Sequence, residues 1–318
     1  MTNKPHPIRG YVFIAGAAFL WGVAATLGRA AFTGKLLPSG QAVQPIDPLI
    51  LSQSRTGISF LVLLPVLMSR RGWRHLKLPA ADFWRTVALG ILGVAASNYL
   101  YYLAIQKTNV ATAIILQYTA PILVLLYMVV RGLQRATAQR VGAVVLSVLG
   151  SALAIGVIGA GGFRLNPIGV AAALLAAVSF AFYNIAGHGI LASYDRWIVI
   201  LYTTFSASAF WLIVNPPWKL VAAHYSGTQW GFLAVFAVVS MLAPFSLYFS
   251  GLQNLEPTRA IVVSCLEPVF SIVLAAVLLG EALRPVQAVG IVIVLVAIVI
   301  VQLPERAGGE CAVVEPIE

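Results

Sequence analysis

Long apolar runs separated by short polar breaks dominate the sequence. The runs lie at about residues 10–31, 48–69, 83–105, 110–130, 138–158, 167–188, 197–215, 229–252, 259–279 and 286–303. Each is long enough to cross the hydrocarbon core, which takes about 20 apolar residues in a helix. Lipid cannot satisfy an open sheet edge, and the runs are too long for barrel strands. The pattern therefore predicts an all-α integral membrane protein with ten transmembrane helices.

The composition agrees with this pattern. The chain has 318 residues, of which 60% are hydrophobic and 9% are Asp, Glu, Lys or Arg. Soluble chains carry about 25% charged residues, and disordered chains are poor in apolar ones. A water-soluble monomer and a disordered chain are both excluded. We therefore expect the chain to be embedded in the lipid bilayer.

The distribution of basic residues predicts an orientation. The formal net charge is +10, but the bases lie in short loops, so we do not expect a nucleic-acid partner. With the N-terminus in the cytoplasm, thirteen Lys and Arg fall in inside segments and six in outside segments, and the loop 69–82 contributes most. The bias towards the inside favours two cytoplasmic termini.

The two ends of the chain and the two cysteines do not indicate any additional function. The N-terminus resembles a signal peptide, but the run Tyr11–Ala31 is longer than such peptides need, so we expect a retained first helix. Residues 304–318 are expected to form a short cytoplasmic tail. Cys265 and Cys311 are too few for a disulfide framework.

An internal repeat divides the chain into residues 1–160 and 161–303. At an offset of 147, residues 101–124 align with residues 248–271. The matched pairs include Tyr101 with Tyr248, Gln106 with Gln253 and Pro121 with Pro268, and Gly132 meets Gly280 after a one-residue insertion. Each half holds five predicted helices, an odd number, so the second half enters the membrane upside down. Inverted repeats are typical of secondary transporters.

These features resemble the drug/metabolite transporter superfamily. The segment LEPVFSIVLAAVLLGEAL (266–283), with Gly290 three residues past Gln287, is similar to its EamA-type branch, and within that branch to the YddG-type exporters of aromatic amino acids. The first repeat departs from the pattern, since Leu133 stands where the second has Glu281. The resemblance implies export of small metabolites across the bacterial inner membrane.

Glu267 is the one acid well inside a predicted span. It belongs to a set of residues spaced four, three and four positions apart, which places them on one helix face. These residues are Ala260, Ser264, Glu267 and Ser271. A small, polar face suits a cavity wall. Ionisable groups inside membranes are costly and are usually functional, which favours contact with a substrate amine or proton transfer by Glu267. A structural carboxyl bonded to a neighbouring helix is the alternative.

Pro121 and Pro268 are repeat mates near the middle of the fourth and ninth predicted helices. Proline lacks an N–H and frees the carbonyl of residue i−4, here Gln117 and Ser264. Such carbonyls at mid-depth can bind an ammonium group. The symmetric placement favours a hinge or site role over a packing kink.

Several aromatic and amide side chains are candidates for lining a cavity. They are Trp21, Asn98, Tyr102, Gln117, Tyr118, Tyr183, Asn184 and Tyr248. Aromatic rings bearing hydroxyls could stack on an apolar group and bind a polar one. The alternatives are an interfacial aromatic belt and hydrogen bonds between helices. For Arg55, seven residues past Pro48, snorkelling towards the interface is favoured over a substrate carboxylate contact.

The sequence offers no signature of an enzyme or a cofactor. It lacks a Walker motif, HExxH, GxSxG and the TVGYG filter, and we expect no metal site, no catalytic residues and no cofactor. The predicted function is export of small molecules, aromatic and other amino acids first, by alternating access. Export of drugs, a lipid-modifying enzyme and a channel are the alternatives. The oligomeric state stays open, and a monomer is compatible with the sequence.

Overall fold

A computed structural model describes residues 6–32, 44–108, 110–156, 166–279 and 283–303, and every regular element within them is helical. The helices are α1 (Pro7–Phe32), α2 (Pro48–Arg71), α3 (Ala80–Lys107), α4 (Val110–Gln117), α5 (Ala120–Val130), α6 (Ala138–Ala154), α7 (Pro167–Leu191), α8 (Arg196–Val214), α9 (Pro217–Ala222), α10 (Gly227–Leu252), α11 (Pro257–Ser264), α12 (Leu266–Leu279) and α13 (Pro285–Gln302). A 3₁₀ turn, Trp73–Leu76, follows α2.

Nine helical stretches in the described ranges are long and apolar enough to cross a membrane. The predicted run 138–158 corresponds to the shorter apolar helix Ala138–Ala154. This helix ends early because Gly156 adopts a φ of 77°, a left-handed conformation that favours glycine. The predicted tail 304–318 and the Gly280–Glu281 pair lie outside the described residues.

Helix starts follow local sequence signals. The side chain of Asp47 accepts hydrogen bonds from the N–H groups of Leu49 and Ile50, and Pro48 occupies the first helical position of α2. Asn166 caps α7 in the same way, and Asp195 caps α8. Each cap satisfies N–H groups that a helix start leaves without partners. The loops thereby fix the points at which the chain enters each helix.

Two of the predicted membrane helices are interrupted near their middles. The run 110–130 breaks at Tyr118–Thr119 between α4 and α5, and the run 259–279 breaks at Cys265 between α11 and α12. Pro121 and Pro268 lie within three residues of these breaks. Proline cannot donate the N–H that would continue the helix ladder. The two prolines thus stand next to irregularities of the backbone, at the depth where the sequence suggested a hinge or a kink.

Two other helices contain π-helical segments. These are Leu89–Ala95 in α3 and Val238–Leu242 in α10. In the first, a Cβ at Gly90 would come within 2.6 Å of the Thr203 carbonyl of α8, so glycine is required for this close approach. The π segments mark places where the regular i→i−4 ladder is interrupted, which often occurs at functional sites.

The helices pack in pairs around a central volume. Helix α1 contacts α10, α11 and α12, α3 contacts α7, α2 contacts α8, and α6 contacts α13. In the last pair Gly150 and Gly290 meet, and a Cβ at Gly290 would lie 2.7 Å from the Gly150 carbonyl oxygen. Small residues of this kind let membrane helices approach closely. The pairs hold the walls of the central volume in place.

Candidate functional site

A cavity of about 950 Å³ occupies the centre of the bundle. It reaches from Trp21, midway along α1, to Phe32, Pro48 and Leu283 at one end of the bundle. We call this the open end, because Phe32 and Leu283 are themselves exposed. Small-molecule sites typically span about 300–1,000 Å³. The volume is large enough for a substrate the size of an amino acid.

The aromatic rings of Trp21, Tyr183 and Phe245 form the floor of the cavity, and Tyr248 packs against them without lining it. The ring of Trp21 lies 5.6 Å from that of Phe245 and 5.2 Å from that of Tyr248. Tyr183 packs against the same two rings at 5.6 and 6.0 Å. Below this layer Gly10 of α1 packs directly on Leu255. We call this the closed end.

A polar cluster ties helices together at the closed end. Glu256, just before α11, accepts hydrogen bonds from Arg140 Nη2 at 3.2 Å and Gln134 Nε2 at 3.0 Å. Arg259 Nε lies 3.8 Å from the same carboxylate, and Thr258 donates to Gln134 Oε1 at 2.7 Å. Charge-assisted hydrogen bonds of this kind are among the stronger ones. We call these five residues the Glu256 cluster.

Glu267 lies on the cavity wall, two residues beyond the break at Cys265. It is the one acidic residue among the described residues that line the cavity. Tyr118, at the break between α4 and α5, lies near its carboxyl group, and Arg55 acts on it electrostatically. The two interrupted helices thus bring a carboxyl and a phenol together at mid-depth, an arrangement able to bind a cationic group or a proton.

Arg55 points into the cavity rather than towards the membrane interface, so the expectation of snorkelling was wrong. Its Nη2 donates to Asn98 Oδ1 at 2.6 Å, and both residues line the cavity. Asn98 Nδ2 in turn donates to the Val94 carbonyl at 2.7 Å. The partner on α3 holds the guanidinium inside, because pairing a charge is favoured over leaving it unpaired in an apolar interior.

No group of three or more His, Cys, Asp or Glu side chains that could hold a metal ion occurs in the described ranges. The polar groups of the cavity are instead amides, hydroxyls and single charges. Gln117 Nε2, for example, donates weakly to Ser97 Oγ at 3.4 Å. Groups of these kinds are able to bind and orient an organic molecule.

The EamA-like transporter family model matches residues 8–156 and 167–303, which together cover most of the chain. The chain belongs to this family. It is accordingly a multi-pass membrane transporter and not an enzyme.

Curated relatives of the transporter are themselves transporters. An uncharacterized inner membrane transporter, YicL of Salmonella typhimurium, is 27% identical over 241 residues, or 73% of this chain and 77% of the relative. The uncharacterized transporter YcbK of Bacillus subtilis is 28% identical over 66% of this chain and 69% of its own. The threonine/homoserine exporter RhtA of Escherichia coli is 31% identical over 62% of this chain and 63% of its own.

A solved crystal structure has the same fold. It matches the transporter with a TM-score of 0.76 at 19% identity, over 93% of this chain and 97% of that chain. At this level of identity the likeness concerns the fold alone. The arrangement of helices around the cavity therefore has an experimental counterpart.

Most of the predicted site residues line the cavity of the transporter. They are Trp21, Asn98, Tyr102, Gln117, Tyr118, Tyr183, Ser264, Glu267 and Ser271, together with Pro121 and Pro268. Ala260, the remaining member of the predicted stripe, is fully buried. The structure thus brings together residues that lie on seven helices or at the break between α4 and α5.

Asn184 and Tyr248 do not line the cavity, which differs from the prediction. Both side chains are fully buried, and the Tyr248 hydroxyl donates to Asn184 Oδ1. Asn184 Nδ2 donates to the Phe180 carbonyl at 2.8 Å. Their polar groups are used within the protein, since a buried polar group without a partner is costly. Asn184 and Tyr248 therefore pack behind the residues that form the cavity floor and do not themselves face the cavity.

The sequence reasoning missed Arg55, Tyr101 and Arg284 as cavity residues. The helical spacing of its neighbours could have identified Tyr101 as a cavity residue. Asn98, Tyr101, Tyr102 and Ile105 follow steps of three, one and three and all line the cavity, which is the spacing of one helix face. Arg284 is exposed at the open end, and its position in the loop before the predicted run 286–303 gave no such signal.

Proposed function

We propose that this protein is a ten-helix secondary transporter that exports aromatic and other amino acids across the bacterial inner membrane by alternating access. The observation that carries the proposal is the one-sided cavity. It is open from mid-depth to one end of the bundle, and the aromatic floor and the Glu256 cluster seal the other. A path closed at one end fits a carrier better than a channel.

We infer that the ten helices are residues 7–32, 48–71, 80–107, 110–130, 138–154, 167–191, 196–214, 227–252, 257–279 and 285–302, in two inverted halves. Several pairs of features support the inference. The breaks at Tyr118 and Cys265 are separated by the same offset of 147 that relates the two halves of the sequence. The π segments also lie near this offset, and the packing of α1 on α10 mirrors that of α7 on α3.

Inverted halves provide the mechanism. If the two halves exchange conformations, the closed end adopts the arrangement of the open end and the cavity faces the other side. The Glu256 cluster must then separate and the open end must close. The excess of basic residues in loops supports a cytoplasmic closed end. In this proposal the described state faces outwards, after release of an exported substrate.

The substrate class rests on the cavity and the relatives together. RhtA exports threonine and homoserine, which supports an amino-acid substrate. Aromatic rings on the walls, including Trp21, Tyr102 and Phe180, can stack on an aromatic side chain. Glu267 is placed to receive an ammonium group or a proton. The apolar area of the same walls also favours a second candidate, export of amphipathic drugs.

Counterflow in proteoliposomes tests the proposal. Vesicles loaded with one unlabelled compound are diluted into labelled phenylalanine, and accumulation is followed. Internal phenylalanine, tyrosine, threonine or homoserine should drive accumulation, whereas sugars and nucleotides should not. Accumulation with drugs but not with any amino acid would support the second candidate. No counterflow with any of these, in vesicles containing folded protein, would reject the amino-acid substrate.

A further inference from the structure

The guanidinium of Arg55 is incompletely used within the protein. It carries five N–H donors. Nη2 donates to Asn98, while Nε is buried and has no hydrogen-bond partner among the described residues. Leaving a buried donor without a partner is unfavourable. Arg55 also lines the cavity, so a ligand acceptor in the cavity can approach its guanidinium.

The side chain of Asn98 fixes the orientation of the Arg55 guanidinium. The amide donates to the Val94 carbonyl through Nδ2, so its Oδ1 is directed at the guanidinium. Since Val94 and Asn98 lie one turn apart on α3, this orientation is set by the helix itself. The planar guanidinium is thereby held at one edge by α3, while Arg55 itself lines the cavity. Forks of this kind match the two oxygens of a carboxylate.

The charges of the cavity favour a substrate with a carboxylate. The charged residues among its described lining are Arg55 and Arg284 on the basic side and Glu267 on the acidic side. A purely cationic substrate would meet one acid and two bases. A zwitterion can place its carboxylate at Arg55 and direct its ammonium group towards Glu267, which Arg55 already influences electrostatically.

We propose that Arg55 is the substrate carboxylate-binding residue and that Asn98 is its positioning residue. The transported compounds must then carry a carboxylate, and cationic drugs that lack one are excluded. This inference rests on the proposed amino-acid function and deepens it, because it assigns the specificity to one side chain.

The experiment compares four probes of similar size in wild-type proteoliposomes: phenylalanine, phenylalanine amide, phenethylamine and 3-phenylpropionate. Each is tested as a competitor of labelled phenylalanine counterflow. Phenylalanine should compete about 10- to 100-fold better than the amide and the amine, because they lack the charge-assisted bond, which is worth about 1.5–3 kcal/mol. 3-Phenylpropionate should compete better than phenethylamine. Equal competition by all four would overturn the proposal without any variant.

Variants then assign the effect to Arg55. Arg55→Gln should raise the half-saturating phenylalanine concentration about 10- to 100-fold and abolish the preference over the amide, and Arg55→Lys should retain part of it. Arg85→Gln removes the same charge at a position on α3 that does not line the cavity, where the side chain is 63% exposed, and is the control that should retain the preference. An Arg55→Gln protein that is folded and still discriminates would overturn the assignment.

The outcomes separate the two proposals. If wild-type protein shows no counterflow of any amino acid, the proposed function fails and the carboxylate subsite fails with it. If wild-type protein transports phenylalanine but Arg55→Gln is indistinguishable from it, the subsite alone is rejected. If Arg55→Gln does not fold, the wild-type competition series and Arg55→Lys still decide the matter.

Discussion

Glu256 accepts a hydrogen bond from Arg140 across 3.2 Å, although 116 residues separate them in the chain. The Arg140 side chain is 8% exposed and that of Glu256 26%, so the pair is largely shielded from water. It joins the start of α11 to α6 at the closed end. In a carrier that alternates, this contact exists in one state and must be lost in the other.

Glu256→Gln should shift the transporter away from the described state. The substitution keeps the shape and removes the charge, so the closed end should lose about 1–3 kcal/mol, and the ratio of states should change about 5- to 150-fold. The readout is Ser271→Cys in a chain without Cys265 and Cys311. A membrane-impermeant thiol reagent applied from the closed side should label it faster in the Glu256→Gln protein.

A matched control exists at the same end. Arg71 and Asp195 form an ion pair at 3.0 Å, but their side chains are 36% and 40% exposed, and such pairs contribute about 0–1 kcal/mol. Asp195→Asn keeps the cap of α8 and should leave labelling unchanged. Equal labelling in all three proteins would mean that the Glu256 cluster does not hold the closed end.

Cysteine accessibility should separate the cavity wall from the layer beneath it. Cysteine at Asn98, Gln117 or Ser271 should react with a water-soluble thiol reagent, because these positions line the cavity. Cysteine at Asn184 should be protected, because that side chain is fully buried below the floor. Mass spectrometry of the intact protein measures the labelled fraction. Rapid labelling at Asn184, or protection at the other three, would contradict the described cavity.

Gly290→Ala should destabilise the protein through the contact of α13 with α6. The added Cβ would lie 2.2 Å from the Ala154 backbone nitrogen and 2.7 Å from the Gly150 carbonyl oxygen, so the two backbones must separate. Overpacking of this kind costs about 1–3 kcal/mol. Gly142→Ala on α6 is the control, since nothing lies within 4 Å of its Cβ, and alanine there can stabilise the helix by up to about 1 kcal/mol. Thermal unfolding in detergent should therefore move in opposite directions for the two variants.

Glu267→Gln tests proton coupling. The glutamine fills the same space beside Tyr118, but it cannot carry a proton. Uptake driven by a pH gradient should be lost, whereas counterflow at equal pH on both sides should persist. Glu267→Asp, which retains a carboxyl group, should keep some of the gradient-driven uptake. An unchanged pH profile in Glu267→Gln would exclude Glu267 as the proton carrier.

The positions of the helices could be predicted from the sequence because each follows from its own residues. An apolar run of sufficient length must be helical in lipid. A proline inside such a run, such as Pro121 or Pro268, removes a backbone hydrogen bond and so predicts a kink or a break in the helix. The starts at Pro48, Pro167 and Pro285 were predicted within one residue. The exact form of the breaks at Tyr118 and Cys265 could not be predicted, because a proline alone does not determine whether a helix bends or is interrupted.

Tertiary structure alone decided the direction and the partner of each polar side chain. The sequence favoured the interface for Arg55, and the structure turns it inwards because Asn98, 43 residues away, offers an acceptor. It favoured the cavity for Asn184 and Tyr248, which instead satisfy each other. A periodic pattern defines the face of a helix, but the neighbour of that face depends on how distant helices pack. The hydrogen bonds that make this site therefore became visible only in the folded protein.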